Sequence, residues 1–197
     1  MSCMKIALAI TGASGSIYAQ LMLQALRQLH QQGAVTELSV VWSETARQVW
    51  AAERPEQAPA DGPPFRMFSR QDFSAPFASG SAGYDALIIC PCSTGTLGRI
   101  AAGVSGDLII RGADVMLKER RKLVLVVRET PYNLLHLRAM TAITEAGGII
   151  CPASPSFYSL PQTMEELALT VVHRALQLCG LDSGGFKWGT TPLVPEM

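Results

Sequence analysis

Apolar positions along this chain fall into short unbroken runs, separated by longer stretches in which they recur every three or four residues. Ile6–Ile10 is apolar on both alternating faces, the pattern of a strand buried between two helix layers. Ile17, Leu21, Ala25 and Leu29 then recur at helical spacing among Gln and Arg. Gly33 stops that helix, and Val35–Trp42 predicts a second strand. A helix follows Ser43 through Ala46, Val49 and Trp50. Ala86–Cys90 and the all-apolar Leu123–Val127 predict two more buried strands, and Ile149–Ile150 begins a short last one. Helical periodicity predicts helices over Leu97–Val104, Leu108–Lys118, Leu134–Ala146 and Met164–Cys179. Strands alternating with helices predict an α/β fold with a central parallel sheet.

Three stretches lack a period. Arg54–Pro64, with four prolines, reads as an exposed loop. Phe73–Ser81 mixes aromatic and small residues, as a core-covering loop or as the wall of an apolar pocket. Asp182–Met197 is a tail that either wanders or docks on a neighbouring subunit. Residues 1–181 therefore form one domain, and 182–197 a C-terminal tail.

Chemistry gathers where the strands end. Ile6–Ile10 stops at Thr11-Gly-Ala-Ser-Gly-Ser16, small residues that let backbone N–H groups approach a ligand, or that serve as an ordinary tight turn. Strand, small-residue turn and helix form the architecture that places an anion at a helix N-terminus. Ala86–Cys90 ends the same way, at Pro91-Cys-Ser-Thr-Gly-Thr96. In a parallel sheet both turns open at the carboxyl edge, side by side if their strands are neighbours. The expected fold is thus Rossmann-like (flavodoxin-like), a three-layer sandwich. Arg128 and Glu129 end the Leu123–Val127 strand at that same edge. Glu44 follows Ser43 and reads best as a first-turn acid behind an N-cap.

Bulk properties narrow the function. The 197 residues carry 16 basic and 16 acidic side chains, so no nucleic-acid footprint is expected. Cys3, Cys90, Cys92, Cys151 and Cys179 form no C-x-x-C pair, and three scattered histidines add no ligand pattern, so no metal is expected. Nothing reads as a signal peptide or a bilayer span, and reduced thiols point to the cytoplasm.

Taken together, several segments resemble the UbiX/Pad flavin prenyltransferases over roughly residues 4 to 181. They are TGASGS at Thr11–Ser16, ASGS at Ala78–Ser81, CPCSTGTLG at Cys90–Gly98, RGADVMLKERRKLVLVVRETP at Arg111–Pro131, HLRAM around His136 and PSFYSLPQT at Pro155–Thr163. The resemblance implies an enzyme that consumes reduced FMN as substrate, joining it at N5 and C6 to dimethylallyl phosphate without a metal. The product serves a separate aromatic or phenolic acid decarboxylase. It further implies FMN contacts from Gly12, Ala13, Ser14, Ser43, Ser93, Thr94, Gly95, Thr96 and Arg128. Prenyl phosphate falls to Lys118, Arg128, Tyr158 and Arg174, with Lys118 acting across a subunit interface. Ser14, Glu53 and Glu129 match the proton-handling groups, Glu129 working as a proton donor or relay if a dry pocket raises its pKa. Phe73, Ala78 and Ser79 match the prenyl wall. The implied assembly is a trimer-based homo-oligomer, a dodecamer.

The chain departs from that family at Phe73, where tryptophan is common, at Glu44, and at Asp107, where asparagine is frequent and a helix-cap exchange is expected. A nicotinamide-dependent reductase would need Tyr-x-x-x-Lys. Tyr18, Tyr84, Tyr132 and Tyr158 are followed at that spacing by Met22, Ile88, His136 and Gln162, which excludes it. Two rivals stand: an FMN-dependent aromatic acid decarboxylase in its own right, and a flavin carrier.

Overall fold

A computed structural model describes residues 3–189. In chain order its elements are β1 (Met4–Ile10), α1 (Ser16–Gln31), β2 (Val35–Trp42), α2 (Glu44–Glu53), β3 (Arg66–Phe68), β4 (Ala86–Cys92), α3 (Thr94–Ala101), α4 (Leu108–Lys118), β5 (Lys122–Val127), α5 (Leu134–Glu145), β6 (Ile149–Pro152) and α6 (Met164–Leu178). Every strand pairing is parallel, and the sheet order is β3-β2-β1-β4-β5-β6. Chain order therefore reverses between β1 and β4. That reversal is the topological switch point where open α/β sheets bind ligands.

Alternation along the buried strands fills two cores. Ile6, Leu8, Ile10, Ile88, Val124 and Val126 face α1 and α6. Ala7, Ala9, Leu87, Ile89, Leu123 and Leu125 face α3, α4 and the Phe77 segment. The small Ala7 and Ala9 leave room for Phe77 and Tyr84, both fully buried on that side. Truncating one of the large core residues would cost about 2–5 kcal/mol.

Two elements differ from the periodicity. β3 is a three-residue edge strand with two exposed positions, paired only with β2, so it carries no hydrophobic signature. Helix α3 occupies Thr94–Ala101 rather than Leu97–Val104. The Ser93 hydroxyl caps it by accepting from the Thr96 N–H, upstream of the first apolar residue, and Gly103 at φ 67° closes it. The Arg54–Pro64 loop is tied down: the Arg27 guanidinium donates to the carbonyls of Ala60, Gly62 and Pro63. Trp50 Nε1 donates to the Gln57 carbonyl at 2.6 Å.

Among the tail residues, Asp182–Gly189 are described and pack on their own subunit; the remainder of the tail lies outside the described residues. Ser183 Oγ lies 2.7 Å from His173 Nδ1 on α6, and Gly185 crosses so close that a Cβ there would meet His173 Cβ at 2.5 Å.

Candidate active site at the carboxyl edge of the sheet

The residue that organises this edge is Thr11, the first beyond β1 and 1% exposed. Its Oγ1 donates to the Pro91 carbonyl at 2.9 Å and accepts from the Ser93 N–H at 2.8 Å. Its N–H donates to the same Pro91 carbonyl at 3.2 Å. One threonine thus joins the two small-residue turns as a single surface. Sequence reasoning treats Thr11 only as part of a motif; a hydroxyl on the last position of a buried run is the signal that could have singled it out.

Gly15 stands at φ 109°, in the left-handed region that favours glycine, and begins α1. The anion at this helix N-terminus belongs to the protein. Glu53, the last residue of α2, receives the N–H groups of Gly15 at 3.0 Å and Ser16 at 2.7 Å. Burial alone would raise its pKa. Hydrogen bonds from the Ser14 hydroxyl and from Ser16 and Gly15 overcome that and hold Glu53 below the ordinary carboxylate range. Gly12 serves packing: a Cβ there would meet the Thr45 hydroxyl at 2.3 Å. Ser43 caps α2, its hydroxyl accepting from the Ala46 N–H at 3.0 Å, and Glu44 is an exposed first-turn acid.

Across the switch point, Ser93 Oγ donates to Thr96 Oγ1 at 3.1 Å and accepts from the Thr96 N–H at 3.3 Å. Thr94 Oγ1 donates to Glu129 Oε2 at 3.2 Å, and the Thr130 N–H donates to Glu129 Oε1 at 3.0 Å. Those two bonds, the Thr130 one foremost, hold Glu129 below its ordinary pKa. The pKa of Glu129 is therefore not raised as a dry pocket would have made it: these bonds favour its ionised form. Arg128 anchors to β4 through its N–H on the Cys92 carbonyl at 3.2 Å. Its Nε is buried with no hydrogen-bond partner among the described residues.

Gly12–Ser16, Ser43, Glu53, Ser93–Thr96, Arg128 and Glu129 therefore meet within one subunit. The other expected residues lie elsewhere. Helix α4 runs away from this edge, so Lys118 stands at the opposite end of the sheet, ion-paired with Glu119. The Phe73–Ser81 segment follows α4 in the same direction. Phe77 packs on Gly112, the Ala78 carbonyl accepts from Arg111 Nε at 3.0 Å, and Gly80 abuts Glu119. Ala78 and Ser79 thus lie along α4, while Phe73, 48% exposed, precedes them.

Tyr158 and Arg174 line a cavity of about 1060 Å³ between β6, α6 and the tail, with Glu166, His173 and Gln177. No residue of the two small-residue turns lines it. Tyr158 stacks on Phe186 at 6.1 Å and meets the edge of Trp188 at 5.1 Å.

The thiols nearest this edge are Cys90 and Cys92, both fully buried at the end of β4. Burial pushes Cys90 up and Cys92 to about 12, and it raises Cys151 and Cys179 as well. Cys3, at the opposite end of β1, is exposed. Among the described residues, no group of three His, Cys, Asp or Glu could hold a metal ion, and no helix is long and apolar enough to cross a membrane.

The Flavoprotein family matches residues 1–172. The flavin prenyltransferase UbiX of Pseudomonas aeruginosa is 39% identical over 208 aligned residues, covering 98% of this chain and 97% of its own. A solved structure, AnUbiX in complex with FMN and dimethylallyl pyrophosphate, matches with a TM-score of 0.88 at 39% identity, over 97% of this chain and 100% of that one. A dodecameric FMN-dependent UbiX-like decarboxylase from Escherichia coli matches with a TM-score of 0.86 at 37% identity, over 94% of this chain and 99% of that one. Fold and switch-point site thus define a flavoprotein. Within that class, the chain belongs to the UbiX flavin prenyltransferase family, as its motifs had indicated.

Proposed function

We propose that this protein is a flavin prenyltransferase that joins dimethylallyl phosphate to reduced FMN. The observation that carries the reading is the junction of the two turns at the switch point, beside the buried and unpartnered Arg128 Nε. It occurs in a chain 39% identical to a flavin prenyltransferase over nearly its whole length. The residues fit an FMN substrate. Glu53 already fills the N-terminus of α1, so the flavin's phosphate belongs at the start of α3, on Ser93, Thr94, Gly95 and Thr96. Gly12, Ala13, Ser14 and Ser43 border the flavin.

Breaking the allylic C–O bond frees phosphate as N5 bonds to the prenyl C1. Bonding C6 to the prenyl C3 opens the double bond, so the prenyl C2 takes up one proton while N5 and C6 each lose one. Arg128 stabilises the charge that develops on the leaving phosphate. Glu129 and Glu53, both held ionised, receive the protons from N5 and C6; passed on through the Ser14 hydroxyl, one goes to the prenyl C2 and the other leaves on phosphate.

Lys118, Tyr158 and Arg174 grip the prenyl phosphate, and Phe73, Ala78 and Ser79 wall the prenyl group. Their distance from the turns within one chain supports a site shared between copies. Exposed Leu134, Leu135 and Leu137 on α5, with Phe157 and Leu160, support a homo-oligomer, and the dodecameric UbiX-like relative supports twelve copies built from trimers. The prenylated flavin then passes to a separate aromatic acid decarboxylase.

The test is the mass of the flavin recovered after anaerobic incubation with reduced FMN and dimethylallyl phosphate. A gain of one five-carbon unit is expected. Unmodified flavin would overturn the reading, and carbon dioxide released from an aromatic acid with no partner present would favour a decarboxylase.

A further inference from the structure

Beside the Ser93–Thr96 turn lies a charge cluster that family resemblance treats as a mere helix cap. Asp107, 1% exposed, caps α4 through Oδ1, which accepts from the Ile110 N–H at 3.1 Å. Its Oδ2 accepts from Arg99 Nη1 at 3.1 Å and from the Arg70 guanidinium. The same Arg99 guanidinium reaches back into the turn. Its Nε donates to the Gly95 carbonyl at 3.3 Å and its Nη2 to Thr96 Oγ1 at 3.4 Å. Thr96 Oγ1 also accepts from Ser93 Oγ, and Ser93 Oγ in turn accepts from the Thr96 N–H. A continuous chain of donors therefore runs from a buried carboxylate to the cap of α3.

We propose that Arg99 and Asp107 are positioning residues for flavin phosphate binding, holding the Ser93–Thr96 turn in the shape that grips the phosphate. This rests on the reading of that turn as the phosphate site. An arginine side chain loses rotamer freedom when fixed, so Arg99 needs an anchor to span the turn. Asp107 supplies it. Burial would raise the carboxyl's pKa, but Arg70, the Ile110 N–H and Arg99 hold it low, so it stays charged at neutral pH. Two guanidinium groups around one carboxylate also leave one net positive charge beside the α3 N-terminus, which favours a bound anion.

Comparing FMN with riboflavin on the assembled protein, by quenching of flavin fluorescence, isolates the phosphate. Asp107→Asn keeps an oxygen for the Ile110 cap but removes the charged anchor. Arg99→Met alters an exposed side chain and leaves the core untouched. Each is expected to weaken FMN binding about tenfold while riboflavin binding holds, with the double variant no worse than either single one. Equal losses for both flavins, or no loss for either, would overturn the proposal. Ser93→Ala separates the two levels. If it removes the preference for FMN while the Arg99 and Asp107 variants keep it, only the positioning role fails. If Ser93→Ala also keeps the preference, the phosphate reading fails and takes the positioning role with it.

Discussion

At the β1–β4 junction, nearly every polar group is bonded to another of the same chain: Thr11 to Pro91 and Ser93, Glu53 to Gly15 and Ser16, Thr94 to Glu129. Beside β6, Tyr158 is 60% exposed and packs on two tail aromatics, and Arg174 is exposed at the mouth of a large cavity. The first region is held by hydrogen bonds within one chain. The second is more open, which the proposed sharing of the site between copies would account for. A reaction that needs a flavin held rigidly and a second substrate admitted and expelled fits that division.

Mixed assemblies probe that difference most sharply. Arg128→Ala and Arg174→Ala homo-oligomers should each lose about 100-fold or more in prenylation rate. Oligomers reassembled from both variants should recover a substantial fraction, because some sites then draw an intact Arg128 from one copy and an intact Arg174 from another. No recovery in the flavin-mass assay would place both arginines in one subunit's site.

A smaller effect is expected at the joint itself. Thr11→Val preserves shape but leaves the Ser93 N–H without its partner and the Pro91 carbonyl with the Thr11 N–H alone, at a cost of about 1–3 kcal/mol in thermal unfolding and roughly tenfold in FMN affinity. Thr11→Ser should restore both. Equal behaviour of the valine and serine variants would show that the two turns hold together without the hydroxyl.

The smallest effect concerns pH. Glu53 has its pKa lowered by folding, so the stability it contributes is present above the ordinary carboxylate pKa and is lost as pH falls through its folded value. The melting-temperature gap between the wild type and Glu53→Gln should stay constant from neutral pH down to the carboxylate range, then close under more acid conditions. A gap that instead widened on acidification would mean that Glu53 folds in its protonated form.

Much of this was legible before any coordinates. TGASGS and CPCSTGT are local signals, each a buried run ending in small residues, and the parallel sheet follows from strands alternating with helices. What could not be read depends on contacts distant in sequence. Glu53 reaches Gly15 across 38 positions, and nothing in W-A-A-E announces that it will occupy a helix N-terminus. The Glu129 shift owes most to the neighbouring Thr130 N–H, and Thr94, brought alongside by the β4–β5 pairing, adds the part that sequence cannot show. β3 was silent because three residues on an edge need no apolar pattern.

The buried thiols acquire a meaning once the chemistry is set beside them. An allylic phosphate is an alkylating agent, and a thiolate within reach would compete with the flavin for it. Cys90 and Cys92 stand at the end of the strand that feeds the site and Cys151 lines the Arg174 cavity; burial raises the pKa of all three, and the exposed Cys3 sits at the far end of the sheet. Thiols raised in this way are poor competitors with the flavin for such an agent.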